Sequence, residues 1–89
     1  MEEKTLNKHN LHALCMIDKD LWIGTYGDGI QILNTQTGVI KNYSISNGLD
    51  ENSIYSIFKD SQGQIWTGSM NGICQYDAQK SAFYPILNI

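Results

Sequence analysis

His9, His12 and Cys15 recur at three-residue intervals, a spacing that invites a zinc site because imidazole and thiolate are the ligands zinc prefers. On a strand, however, residues three apart point to opposite faces, so His12 and Cys15 do not converge on one metal. Asp18-Lys19-Asp20 has two carboxylates but lacks the glycine and further oxygen ligands of a calcium loop, and it reads as a turn. Gly27-Asp28-Gly29 is followed by no helix whose N-terminus could hold a phosphate. The Asp50-Glu51 pair lies in a polar stretch with nothing to raise a carboxyl pKa, and no Gly-x-Ser-x-Gly elbow accompanies the serines. No catalytic residue, metal ligand or cofactor is therefore expected, and the chain reads as a non-enzyme. Aromatic stacking is the remaining chemistry. Five tyrosines and two tryptophans could lie against sugar rings, and Tyr26, beside the Gly-Asp-Gly corner, is the one expected to face solvent.

The elements that would position these residues come from a repeat. LWIGTYGDGI (21–30) and IWTGSMNGI (65–73) are versions of one another, and their tryptophans, Trp22 and Trp66, stand 44 residues apart. Helical periodicity is almost absent, while β-branched and aromatic residues fall in short runs between turn signals. The first unit predicts strands at 11–17, 21–25, 30–33 and 39–43. The second predicts strands at 54–59, 65–69, 73–76 and 82–86. Four antiparallel strands per unit, with tryptophan in the second, describe a β-propeller blade. The expected fold is thus all-β, two four-stranded antiparallel sheets. Its parts are an extension at 1–9, blade 1 at 10–46, a connector at 47–53 and blade 2 at 54–89.

The repeat positions are Trp22, Gly24 and Gly29 in blade 1 and Trp66, Gly68 and Gly72 in blade 2. Both tryptophans are expected to be buried packing anchors. Gly24 and Gly68, two residues after each tryptophan, should admit a close neighbour such as an aromatic ring. Asn71-Gly72 predicts a type I′ hairpin with two positive φ angles. Cys15 and Cys74 sit in apolar strand-like runs at unmatched repeat positions and read as buried fillers rather than a disulfide.

Size and charge narrow the function. The 89 residues are 42% hydrophobic, too apolar for a disordered chain and enough for one small domain. A net charge of −3 without a basic run lacks the footprint of a nucleic-acid binder. The first ten residues lack the apolar run of a secretory signal, and no stretch approaches the ~20 apolar residues of a spanning helix. Neither a targeting signal nor membrane contact is expected of this chain.

The segment IYSIFKDSQGQIWTGSMNGICQYD (54–77) closely resembles the two-component-regulator propeller repeat, through its Asp-x-x-Gly, Ile-Trp-x-Gly and Gly-Ile-x-x-Tyr-Asp elements. LHALCMIDKDLWIGTYGDGIQILN (11–34) resembles it more loosely, with Asn34 where Asp is usual. The resemblance implies a piece of the periplasmic sensor region of a bacterial hybrid two-component histidine kinase. The expected partners are other blades and, for the complete sensor, a small-molecule or glycan ligand. No kinase box or receiver domain is present, so phosphotransfer is not expected of this polypeptide. The competing expectation is an interaction module that assembles with copies of itself into a propeller-like ring and binds no ligand. Two blades leave outer faces uncovered, to which Leu14, Ile23, Ile57 and Phe58 would contribute, and three or four chains would supply six or eight blades.

Overall fold

Residues 11–49 and 51–88 are described by the computed structural model; His9 and Asp50 lie outside them. Eight strands run in chain order: β1 (Leu11–Ile17), β2 (Asp20–Thr25), β3 (Ile30–Asn34), β4 (Ile40–Tyr43), β5 (Ile54–Lys59), β6 (Ile65–Ser69), β7 (Gly72–Asp77) and β8 (Ala82–Asn88). They form two antiparallel four-stranded sheets, β1-β2-β3-β4 and β5-β6-β7-β8. These are the two blades the repeat predicts.

Repetition extends to fine detail. Cys15, Trp22, Ile32 and Lys41 pair in one row across blade 1, and Phe58, Trp66, Gln75 and Tyr84 form the corresponding row of blade 2. Each first strand carries a register shift at the same place, between Leu11 and Ala13 and between Ile54 and Ser56. Asn34 Oδ1 accepts from the backbone N–H groups of Gln36 and Thr37, while Asp77 Oδ1 accepts from those of Gln79 and Lys80. Either oxygen can close an Asx turn, so Asn34 serves where aspartate is usual. The residue ending each of these hairpins has a positive φ, +79° at Gly38 and +49° at Ser81. The Asn71-Gly72 hairpin departs from expectation: Gly72 has φ +148°, but Asn71 is not among the residues with positive φ, so this is not a type I′ turn. Ser69 Oγ, which accepts from the Asn71 N–H, shapes the corner instead.

The blades share one core. Blade 1 contributes Ile17, Trp22, Ile30, Ile32 and Tyr43; blade 2 contributes Ile54, Cys74 and Phe83. Cys15 packs against this cluster and Cys74 is buried within it, each filling space as a small hydrophobe. β5 lies against β1 and β2. Gly24 makes that approach close: a Cβ there would stand 2.9 Å from Ile54 Cγ2 and 3.2 Å from Ala13 Cβ. Its neighbour is therefore an aliphatic side chain of the next blade, not an aromatic ring. At Gly68 the close neighbour is the Ser56 hydroxyl, 2.5 Å from where a Cβ would be.

The connector is more than a polar spacer. Ser44 caps a short 3-10 turn (Ile45–Asn47) in a capping box, and Gly48 ends it in the left-handed conformation at φ +100°. A Cβ on Gly48 would collide with the Phe83 carbonyl of β8, so this segment runs directly against blade 2. Leu49 then enters the shared core at 4% exposure. The Asn52 carbonyl accepts from the N–H groups of Gly27 and Gly29, tying the corner of blade 1 to the connector.

The tryptophans occupy matching positions with different surroundings. Trp22 is 3% exposed, whereas Trp66 is only half-buried. The row holding Trp22 faces blade 2, and the row holding Trp66 faces away from blade 1. Of the four residues expected on open faces, Leu14 and Phe58 are exposed, at 61% and 60%. Ile23 is buried and Ile57 packs against the shared core.

Candidate ligand cleft between the blades

Held close at Gly24, the two blades part toward their hairpins and leave a cleft of about 430 Å³. Its aromatic wall comes from Trp22 of β2, Tyr43 of β4 and Tyr76 of β7. Strand alternation places these rings inward, because Trp22, Tyr43 and their neighbour Ile32 share the face of blade 1 turned toward β7 and β8. Tyr76 stands edge-on to Trp22, with centroids 5.0 Å apart and planes at 80°. Phe83 packs against two of these rings, 4.9 Å from Tyr76 and 5.5 Å from Tyr43. Such edge-to-face contacts are worth about 0.5–1.5 kcal/mol each beyond the area they bury, so the wall is held in place before any ligand arrives.

Polar groups ring the mouth. Asp18 and Asp20 come from the β1–β2 hairpin, Lys41 from β4, and Asn34 and Thr37 from the β3–β4 hairpin. Inside, the Tyr43 and Tyr76 hydroxyls meet at 3.4 Å. Burial of the Tyr76 phenol, then its bond to Tyr43, pushes its pKa up to about 12, and the nearby Asp20 carboxylate adds to the rise. Burial and the nearby Asp20 carboxylate both oppose a phenolate, so Tyr76 remains a neutral hydroxyl donor at any physiological pH. The folded value exceeds the ordinary one of 10.0, so the stabilisation from neutral Tyr76 is complete below pH 10 and is lost as pH rises toward about 12. An alkaline titration followed by phenolate absorbance should show one late tyrosine with a midpoint near 12, absent in Tyr76→Phe. A wild-type curve in which every tyrosine ionises together near pH ~10 would contradict this environment.

Clefts of roughly 300–1,000 Å³ with apolar walls and a few convergent polar groups are the usual form of small-molecule sites. Here aromatic faces could stack on the apolar face of a ring, while carboxylates, a lysine and phenols could engage hydroxyl groups.

The residues singled out from the sequence lie in several places. Trp22 lines the cleft; Gly24 sets the blade spacing; Gly29 turns the β2–β3 corner at φ +80°, where a Cβ would strike the Tyr43 carbonyl. Trp66, Gly68 and Gly72 belong to blade 2 and do not line the cleft. The Trp66 indole N–H donates to Asp60 Oδ2 at 2.9 Å, and this bond, with the backbone N–H groups of Gln64 and Gln62, holds the Asp60 carboxyl below its usual range. His12 and Cys15 are separated as expected: Cys15 sits on the core side, and His12 stacks on Tyr55 at 5.5 Å and lies 5.3 Å from Tyr26. Tyr26 is exposed at 54%. Tyr43, Tyr76, Asp20 and Lys41 were not distinguishable from other tyrosines and turn residues in the sequence, since only the stacking of two blades brings them together.

The geometry of paired blades directs comparison to propeller proteins. Residues 48–71, spanning the connector and the first two strands of blade 2, match the two component regulator propeller family. No curated protein matches the chain. Among solved structures, the extracellular domain of BT4673 from B. thetaiotaomicron, ascribed in one crystal structure to a one component system, aligns with a TM-score of 0.84 at 24% identity. That alignment covers 98% of this chain and 12% of BT4673. A second crystal structure of the domain, ascribed to a hybrid two component system, gives 0.85 at 23% identity over 100% and 12%. The extracellular domain of BT3049, ascribed to a hybrid two component system of the same organism, aligns at 0.64 with 28% identity, covering 75% of this chain and 9% of that one. The repeat and its partner blade therefore span about an eighth or less of these domains. Among the described residues, no helix is long and apolar enough to cross a membrane.

Proposed function

We propose that this chain is part of the extracytoplasmic sensing propeller of a hybrid two-component system, and that its inter-blade cleft takes a small polyhydroxylated ligand. The observation that carries the ligand reading is the wall of Trp22, Tyr43 and Tyr76 beneath the carboxylates of Asp18 and Asp20. The sensor reading is supported by the propeller repeat at 48–71 and by likeness to extracellular domains ascribed to such systems. In this reading the chain works in the periplasm, binds without catalysing, and passes the effect of binding to neighbouring blades through the shared core.

The test is titration of the chain with a panel of mono- and oligosaccharides, followed by the Trp22 indole and tyrosine ring signals in NMR spectra. Saturable shifts confined to the cleft are expected, weakened at least tenfold by Asp20→Asn. Saturable shifts that leave Trp22 and Tyr76 unmoved would place binding elsewhere. A panel with no saturable shift at millimolar sugar would remove the cleft from the account.

A further inference from the structure

We propose that Asn71 is a modification site, where the side-chain amide is lost and the main chain rearranges to isoaspartate. The reaction needs an asparagine followed by a residue that does not crowd its own backbone nitrogen, and glycine, without a Cβ, crowds it least. Two pairs in the chain qualify, Asn47-Gly48 and Asn71-Gly72. Their sequences are alike, and their settings in the fold are not.

Asn47 is locked. Its Oδ1 accepts from the Ser44 N–H at 3.0 Å in the capping box, which holds the side chain on the side away from Gly48. Its own N–H donates to the Ser44 carbonyl at 2.9 Å, and the Gly48 N–H donates to the Ile45 carbonyl at 3.1 Å. Joining the Gly48 nitrogen to the Asn47 side chain would break the capping box and lift Gly48 off the Phe83 carbonyl. Asn71 stands outside both ladders, at the corner between β6 and β7. It is exposed, as is Met70 beside it at 67%. The bond that shapes this corner, from the Asn71 N–H to Ser69 Oγ at 3.1 Å, lies on the side of Asn71 away from Gly72.

The Gly72 nitrogen attacks Asn71 Cγ and forms a new C–N bond, its proton passes to solvent, and the side-chain nitrogen leaves as ammonia. Water then opens the resulting five-membered imide at either carbonyl. One opening gives aspartate, the other isoaspartate; one water is consumed and one ammonia released, with no change of oxidation state. Blade 1 shows that the first product fits. Asp28 is the counterpart of Asn71, its N–H donates to Thr25 Oγ1 at 3.0 Å as that of Asn71 does to Ser69, and it stays exposed although the connector packs beside it. Isoaspartate is different, because it adds a methylene to the main chain just before Gly72 pairs with Asn88. The entry of β7 must then shift against its neighbours.

Incubation of the folded chain in mildly alkaline buffer, followed by tryptic mapping with mass spectrometry, tests the proposal. Cleavage after Lys59 and Lys80 yields a peptide whose sole asparagine is Asn71, and cleavage after Lys41 and Lys59 yields the peptide holding Asn47. Amide loss at Asn71 should outpace that at Asn47 by at least roughly tenfold in the folded chain, because local structure protects only the second. In urea the two rates should converge, since the two pairs then differ in neither packing nor hydrogen bonds. An isoaspartate methyltransferase should label the peptide of Asn71 in the wild type and leave it unlabelled in Asn71→Gln, whose longer side chain would have to close a six-membered ring. Equal rates at the two sites in the folded chain would overturn the proposal. So would an Asn71 that reacts only after unfolding, since the corner would then be as closed as the capping box.

Discussion

Alanine at Gly48 is expected to cost roughly 3–5 kcal/mol, whereas alanine at Gly38 should cost about 1. Both glycines hold positive φ, +100° and +79°, so each substitution forces an L residue into a disfavoured conformation. They differ in space. Nothing lies within 4 Å of a Cβ at Gly38, but at Gly48 it would meet the Phe83 backbone carbonyl. Relief there requires moving the connector off β8, which also withdraws Leu49 from the shared core. A small domain has only about 5–15 kcal/mol of stability in total, so Gly48→Ala should approach unfolding. Urea denaturation of the two variants measures the difference directly. Equal midpoints would mean that the connector does not press on blade 2.

The second large effect concerns the repeated tryptophans. Trp22→Ala should cost roughly 3–5 kcal/mol, because it opens a cavity among Tyr76, Phe83 and Ile32. Trp66→Ala should cost about 2 kcal/mol, since the ring is already partly exposed and its indole bond reaches only the surface Asp60. Denaturant unfolding of the two variants is the appropriate measurement. Equal costs there would show that blade 2 buries Trp66 by a route not visible in the packing.

That asymmetry marks the boundary of what could be read from residue order. The strands, the hairpins and the pairing of equivalent positions were legible because turn chemistry and apolar runs are local signals. Asn34 and Asp77 announce the same turn, and the period separates Trp22 from Trp66 without any structure. Burial was not legible in that way. The two tryptophans stand in equivalent versions of one local pattern, and only the order of blades along the chain decides which face receives a neighbour. Leu49 was hidden for a related reason: one apolar residue among polar ones looks like a loop until a core is built beside it. The cleft was least legible of all. Trp22 and Tyr43 come from one repeat and Tyr76 from the other, and nothing in either repeat signals that the rings will meet. At Asn71-Gly72 a strong local signal was overridden, as the Ser69 hydroxyl and the demands of β7 set the corner.

The duplicated register shift in β1 and β5 has a bearing on how such proteins diversify. At that step His12 in one blade and Tyr55 in the other are passed over by the ladder, and both rings emerge exposed and stacked on each other. A residue that neither pairs with the next strand nor enters the core can change identity at little cost to folding. Each added blade would bring one such position to the same rim. A circle of blades would then display a short string of freely variable side chains on an invariant frame, and two receptors could differ in what they recognise by changing that string alone.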